Sequence, residues 1–191
     1  MNRERIALRT GRRGPRPAPA PRIREPRYLD ERPVEADDRA VPGHREGDPV
    51  TGEGGRSAVA TLVERTSRFL VPLRGRDSLT VTDAIIAAVG GLPPSVTRSP
   101  TWDCGSEMAL HQQVTATGLP VFFAHPRSPR ERGGNETLNR IVREFPPKGV
   151  EIPSDPRHLA AEINDRPRKI HDWRKPSEVF TELLRADAST V

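Results

Sequence analysis

The sequence predicts one mixed-sheet α/β domain that follows a disordered basic arm. Residues 1–40 contain no periodic apolar pattern and are rich in arginine and proline, so they lack the apolar surface that offsets the entropy of ordering. From residue 56 onward a hairpin pattern is followed by short apolar runs that alternate with amphipathic stretches, as is typical of α/β folds. We therefore expect an arm and linker over residues 1–40, a folded core over 41–184 and a flexible tail over 185–191.

The positive charge of the chain is concentrated at its N-terminus. Residues 1–27 hold nine arginines and two glutamates, a net charge of +7, whereas the remaining residues hold 22 basic and 24 acidic side chains, a net charge of −2. Arginines in an extended arm bind nucleic acid by releasing counterions from its phosphates. The same composition also suits a solvated linker, and both interpretations stay open.

Three classes of protein are excluded by the sequence. The longest apolar stretch, residues 84–92, is far shorter than the roughly 20 residues of a membrane span. The basic N-terminus is not followed by the apolar run of a secretion signal. The single cysteine, Cys104, excludes an internal disulfide framework and a cysteine-based zinc site. We therefore expect a cytoplasmic protein.

The core begins with a predicted hairpin and a predicted helix. Two β-branched apolar runs, residues 56–64 and 67–73, are separated only by Arg65-Thr66, which favours antiparallel pairing. Apolar residues then recur at helical spacing over residues 80–89, with Thr80 as a suitable N-cap. Later in the chain, the pattern predicts strands over 96–102 and 119–123 and helices over 108–117, 135–145, 156–164 and 177–184.

Three acidic residues have surroundings that favour a joint role. Asp48 precedes the hairpin, Asp103 ends a strand before a glycine, and Glu136 lies in the first turn of a helix. Carboxylates at such positions can converge on one edge of a sheet, where their hard oxygens suit Mg²⁺ or Mn²⁺. Taken singly, each residue also suits an ordinary role, because aspartate is common in turns and glutamate stabilises a helix N-terminus. Spacing alone leaves both interpretations open.

The segments around these three residues are similar to motifs of bacterial transposases of the IS-thirty family. The first segment, DRAVPGHREGD, ends at Asp48; TWDCGSE contains Asp103; and SPRERGGNETLN contains Glu136. Further similarities follow in the same order as in the family, and together they cover about residues 28–184: TLVERTSRF at 61–69, FPPKG at 145–149, NDRPRK at 164–169 and EVF at 178–180.

This resemblance implies a ribonuclease H-like mixed sheet flanked by helices, the core of retroviral integrases. It implies that Asp48, Asp103 and Glu136 are catalytic residues that hold two Mg²⁺ or Mn²⁺ ions in the active complex. The implied reaction is hydrolysis of a phosphodiester at the transposon ends, followed by attack of the freed 3′-hydroxyl on target DNA. The implied partners are transposon-end and target DNA and further copies of the chain, which act at the bacterial nucleoid and not at a membrane.

Candidate DNA-binding residues lie on the predicted helix that contains Glu136 and in a later basic cluster. Two glycines before this helix leave room for a DNA backbone, and the polar face of the helix suits phosphates. Ordinary solvent exposure remains an open alternative for the arginines of this helix and for the cations of the later cluster. The candidates are Arg132, Asn135, Asn139, Arg140, Arg143, Lys148, Arg166, Arg168 and Lys169.

The chain also departs from the family pattern. The relatives carry an N-terminal helix-turn-helix region for which this chain has no room, so we expect a truncated copy. Pro49 follows Asp48 where a central strand is expected, Arg45 replaces an aromatic residue, and Cys104 replaces an amide side chain. We therefore expect the first strand to be distorted and the activity impaired. A non-catalytic DNA-binding or dimerising transposase fragment is the main alternative, and a general metal-dependent nuclease is a third.

Overall fold

A computed structural model describes residues 23–51, 58–126, 128 and 155–188 of the chain. Its six strands are β1 (Arg27–Tyr28), β2 (His44–Thr51), β3 (Ala58–Glu64), β4 (Leu70–Arg74), β5 (Ser99–Trp102) and β6 (Phe122–Phe123). The described helices are α1 (Ser78–Val89), α2 (His111–Ala116), α3 (Arg157–Asn164) and α4 (Pro176–Ala188). The helix predicted over residues 135–145 lies outside the described residues.

The strands form one mixed sheet in the order β1-β6-β5-β2-β3-β4. β2, β3 and β4 pair as an antiparallel meander, which confirms the hairpin predicted from the two β-branched runs. β5 lies parallel to β2 and to β6, and β6 lies parallel to β1. The mixed-sheet α/β class is therefore confirmed.

The sheet is covered on both faces. Successive side chains of β3 point to opposite faces, and nearly all of them are buried. Ala60 and Leu62 pack with α1 and α2 in the larger hydrophobic cluster. Val59 and Val63, which alternate with them, pack with α3 in the smaller cluster. The carboxyl ends of the parallel strands are therefore held on a rigid, two-sided scaffold.

Helix α1 begins three residues before the start that Thr80 as N-cap would give. Its N-cap is Asp77 rather than Thr80, because the Asp77 carboxylate accepts hydrogen bonds from the Thr80 amide at 2.9 Å and from the Thr80 hydroxyl at 2.7 Å. Asp77 has the extended backbone of an N-cap, and Thr80 occupies the third position of the helix. From the sequence alone, Asp77 and Thr80 are both suitable N-caps, because each is followed three residues later by a polar residue.

Residues 23–40 belong to the fold, which corrects the predicted boundary between arm and core. β1 adds a parallel strand beside β6, and Tyr28 stacks on His125 with ring centroids 4.6 Å apart. Ala36 is fully buried. A two-residue strand and isolated contacts produce no periodic pattern, and so the sequence does not reveal them. The first part of the predicted arm, residues 1–22, lies outside the described residues.

The side chain of Asn164 continues the sheet beyond its last strand. Its amide oxygen accepts from the Leu70 N–H and its amide nitrogen donates to the Leu70 carbonyl, both at 2.8 Å. Because β4 is an edge strand, these two bonds satisfy main-chain groups that have no neighbouring strand. They also fix the end of α3 against the sheet.

In the described part of the chain, we find no helix of the length and apolarity that crossing a membrane requires.

Candidate active site

The parallel strands β2 and β5 bring two of the predicted carboxylates to neighbouring positions. The register pairs Glu46 with Thr101, and two residues further along lie Asp48 in β2 and Asp103 just after β5. Residues two apart on a strand share a face, and neighbouring strands are about 4.8 Å apart. The two aspartates therefore occupy the same level of the same face. Both are half-buried.

Pro49 lies within β2 without interrupting it, contrary to the expected distortion. The His44 carbonyl accepts from the Arg65 amide at 2.9 Å, so the even-numbered residues of β2 direct their main-chain groups to β3. Pro49 is therefore oriented toward the β5 side. Pairing with β5 ends at Glu46 and Thr101, before Pro49 is reached. The missing N–H therefore costs no ladder hydrogen bond.

At position 47, between Glu46 and Asp48, only glycine leaves room for the ring of Trp102. A Cβ atom on Gly47 would lie 1.8 Å from Cζ3 and 1.9 Å from Cε3 of that ring. Trp102 is 1% exposed and belongs to the larger cluster. The face of the sheet opposite the two aspartates is therefore filled by this indole, which packs directly against the β2 main chain one residue before Asp48.

Another carboxylate, that of Glu107, lies near Asp103. Glu107 was not among the residues predicted for the site. It is buried, and it accepts a hydrogen bond from Trp102 Nε1 at 3.0 Å. Burial raises the pKa of the Glu107 carboxyl, and the negative charge of Asp103 adds to the effect. A Cβ on Gly105 would lie 2.2 Å from one carboxylate oxygen, so the glycine admits this close approach. In the sequence, the spacing Trp-x-x-Gly-x-Glu is the feature from which this contact between Trp102 and Glu107 could have been predicted.

Arg45 is accommodated by buried acceptors at the other end of β2. Its guanidinium donates to the Val96 carbonyl at 2.6 Å. Burial lowers the pKa of Arg45 and the nearby carboxylate of Glu64 opposes that shift. Glu64 itself accepts from the Gly43 amide at 3.0 Å and from the Ser67 amide at 2.6 Å. The other terminal nitrogen of the guanidinium, Nη2, is buried without a hydrogen-bond partner, so the replacement of an aromatic residue at this position is only partly balanced.

A polar layer lies before the aspartates on the same face of the sheet. Glu46 pairs with Arg65 at 3.2 Å, and both side chains are nearly buried. Arg32 donates to the Thr101 hydroxyl at 3.0 Å. The Thr61 hydroxyl donates to the Asp48 carbonyl at 3.1 Å, which fixes the main chain at this residue. These contacts hold the strand ends on which Asp48 and Asp103 lie.

The remaining predicted residues are separate from the aspartate pair or outside the described residues. Arg166, Arg168 and Lys169 lie in the connection between α3 and α4, at the β4 edge of the sheet. Glu136 and the DNA-binding candidates Arg132, Asn135, Asn139, Arg140, Arg143 and Lys148 lie outside the described residues. The three-carboxylate site therefore stays a prediction.

The donor set at the aspartate pair fits a divalent cation. Two carboxylates at one level of adjacent strands present the hard oxygen ligands that Mg²⁺ and Mn²⁺ prefer. Among residues 23–51, 58–126, 128 and 155–188, no group of three or more histidine, cysteine, aspartate or glutamate side chains is arranged to hold a metal ion. The predicted third ligand, Glu136, is not among these residues.

Comparison with known proteins identifies relatives among transposases. The transposase InsI of insertion sequence element IS30A from Escherichia coli K12 is 40% identical over 159 residues, which cover 80% of this chain and 41% of that protein. The transposase of IS1086 from Cupriavidus metallidurans is 38% identical over 161 residues, 80% of this chain and 47% of that protein. No protein-family model matches the chain. The resemblance predicted from the motifs is confirmed, and the chain spans less than half the length of these relatives.

The fold has a counterpart among solved structures. The catalytic core domain of BIV integrase matches with a TM-score of 0.57 at 14% identity, over 76% of this chain and 97% of that domain. The predicted integrase-type, ribonuclease H-like fold is thereby confirmed.

Proposed function

From the homology of this chain to IS30-type transposases, we propose that it is the catalytic core of a DNA transposase. Its reaction is metal-dependent hydrolysis of a phosphodiester followed by strand transfer. The observation that most supports this function is the register of β2 and β5, since it sets Asp48 level with Asp103. Such an arrangement of hard ligands matches the requirement of phosphodiester chemistry for divalent cations.

Asp48, Asp103 and Glu136 are the proposed ligands of two Mg²⁺ or Mn²⁺ ions. When bound, such ions activate the attacking oxygen and stabilise the leaving oxygen of a phosphodiester. The chain contributes position: Trp102 packs against the β2 main chain at Gly47, beside Asp48, and Glu107 anchors the loop after Asp103 through Trp102. A rigid support of this kind reduces the reorganisation needed in the transition state.

The reaction conserves phosphodiester bonds in its second step. Hydrolysis forms a bond between the water oxygen and phosphorus and breaks the bond to the 3′-oxygen, which leaves as a 3′-hydroxyl. In strand transfer that hydroxyl attacks a target phosphorus, and the bond to a second 3′-oxygen breaks. One phosphodiester is exchanged for another, so no high-energy cofactor is required.

The proposed partners are the transposon ends, the target DNA and further copies of this chain. Joining two ends to one target requires two active sites held together, which favours a homo-oligomer in the active complex. The proposed place of action is the bacterial nucleoid, because the substrate is there.

Nicking of a supercoiled plasmid in Mg²⁺ or Mn²⁺ tests the proposal. We expect the chain to convert the plasmid to open circles and Asp103→Asn to abolish this conversion while leaving plasmid binding intact. The matched control is Asp83→Asn, an exposed aspartate on α1. Binding without nicking by the unaltered chain would support the non-catalytic alternative instead. Joining of a labelled duplex with the gene's flanking DNA to the plasmid would distinguish a transposase from a general nuclease.

A further inference from the structure

The connection between α3 and α4 is a tight turn held by its own main chain. Arg168 and Arg174 form an isolated antiparallel bridge, and the Trp173 amide donates to the Arg168 carbonyl at 3.0 Å. His171 Nε2 is 2.9 Å from the Ser67 carbonyl, in the connection between β3 and β4. The turn therefore has a defined shape and a fixed place on the sheet.

This turn presents two large apolar side chains to solvent. Trp173 is 70% exposed and Ile170 is 64% exposed. Asp172 and Trp173 have φ values of +53° and +67°, in the left-handed region that side-chain-bearing residues disfavour. Strain of this kind persists where the surrounding structure imposes it and is concentrated at functional positions. Here it directs an indole away from the core.

The same turn is strongly basic. Residues 165–175 hold five arginines and lysines and two aspartates, a net charge of +3. Burial lowers the pKa of His171 below its usual value, which disfavours the charged form of this histidine. Arg174 pairs with Glu182 and Lys175 with Asp165, whereas Lys169 is exposed. An exposed indole and an exposed aliphatic side chain beside cations match the surface of duplex DNA, where phosphates flank the sugars and the edges of the bases.

We propose that the Ile170–Trp173 turn is a duplex-DNA contact outside the catalytic site. Its cations bind backbone phosphates, and the indole of Trp173 packs against sugar and base edges in the minor groove. The inference extends the proposed function, since it assigns the DNA a second point of contact on this chain. A symmetric contact between two copies is disfavoured, because it would place one +3 turn against another.

The contact lies away from the proposed chemistry. Ser67 follows the end of β3 that pairs with the start of β2, whereas Asp48 pairs with Thr61. At about 3.3 Å per strand residue, the turn is at least about 10 Å from Asp48 along the strand direction. That distance corresponds to about three or more base pairs of duplex. The turn therefore holds DNA that flanks the reacting phosphodiester.

Anisotropy titration of a fluorescein-labelled 30-base-pair duplex at several salt concentrations tests the inference in the full chain without divalent ions. We expect Trp173→Ala to weaken binding about tenfold with an unchanged salt slope, because the substitution removes an apolar contact and no cation. Lys169→Ala should lower the slope by about 0.9. The matched control, Leu79→Ala, removes an exposed apolar side chain on α1 and should change neither quantity.

A second measurement uses the distribution of tryptophan in the chain. Trp102 is buried and Trp173 is exposed, so iodide quenches mainly Trp173. Saturating duplex should protect this emission. The inference is wrong if Trp173→Ala binds like Leu79→Ala, if DNA gives no protection, or if Trp173→Ala alters sedimentation but not affinity. The last outcome would identify a contact between copies.

The two proposals fail separately. Loss of affinity in Trp173→Ala while Asp103→Asn still nicks DNA would retain this contact and overturn the catalytic proposal. Normal affinity in Trp173→Ala while Asp103→Asn abolishes nicking would do the reverse.

Discussion

Replacing Gly47 with alanine tests the link between the Trp102 ring and the aspartate pair. The added Cβ would lie 1.8 Å from Cζ3 of the indole, whereas carbon atoms pack at about 3.5–4.0 Å. The ring must therefore withdraw by about 2 Å. It has little room to do so, because it is 1% exposed and its Nε1 is bonded to Glu107.

We expect Gly47→Ala to lower the free energy of unfolding by about 3 kcal/mol, at the upper end of overpacking effects. Urea unfolding followed by circular dichroism measures this change as a shift of the midpoint. Plasmid nicking should fall about 100-fold, because a displacement of about 1 Å at a catalytic group has an effect of that order. The control is Gly91→Ala, whose Cβ would meet no atom within 4 Å.

A double-mutant cycle with Trp102→Leu identifies the cause. Once the ring is removed, alanine at position 47 should cost about 1 kcal/mol, which leaves a coupling of about 2 kcal/mol. A change below about 0.5 kcal/mol for Gly47→Ala, or costs that add in the double variant, would refute the reasoning.

Two further predictions concern buried polar groups. Glu107→Ala leaves the Trp102 Nε1 donor unpaired and should lower the free energy of unfolding in urea by about 1–3 kcal/mol. Glu107→Gln keeps an acceptor and should lower it by less than half as much. Equal losses in the two variants would contradict this role of Glu107. Burial, assisted by the charge of Arg98, lowers the pKa of His44 below 6.5, so its contribution to the free energy of unfolding is present above pH 6.5 and is lost as the pH falls. His44→Asn should reduce the decrease in stability between pH 7.5 and 5.5, and an unchanged pH dependence would contradict this sign.

The hairpin and α1 were predictable because their signals are local. β3 and β4 lie in two mainly apolar runs with a short connection, and α1 repeats apolar residues at helical spacing. Asp48 and Asp103 could be proposed as candidates from the sequence, since the residues around them resemble motifs of known transposases. Their relative position required the parallel register of β2 and β5, which no local pattern contains.

The features that were missed depend on contacts between distant parts of the chain. Pro49 would disrupt β2 only if both neighbouring strands, β3 and β5, continued beside it. The sequence around Pro49 does not show that the pairing with β5 ends earlier. A glutamate in a turn is usually exposed, and only the folded structure shows that Glu107 is buried and bonded to Trp102. Residues 23–40 order through single contacts rather than through an apolar repeat.

The amide of Asn164 has a consequence for how copies of this chain behave at high concentration. An open edge strand recruits strands from other molecules, and this is a common origin of aggregation. By occupying both main-chain groups of Leu70, Asn164 removes the docking position for a foreign strand at the start of β4. In the proposed complex of several copies on one DNA molecule, this contact reduces the tendency of the copies to polymerise through their sheets.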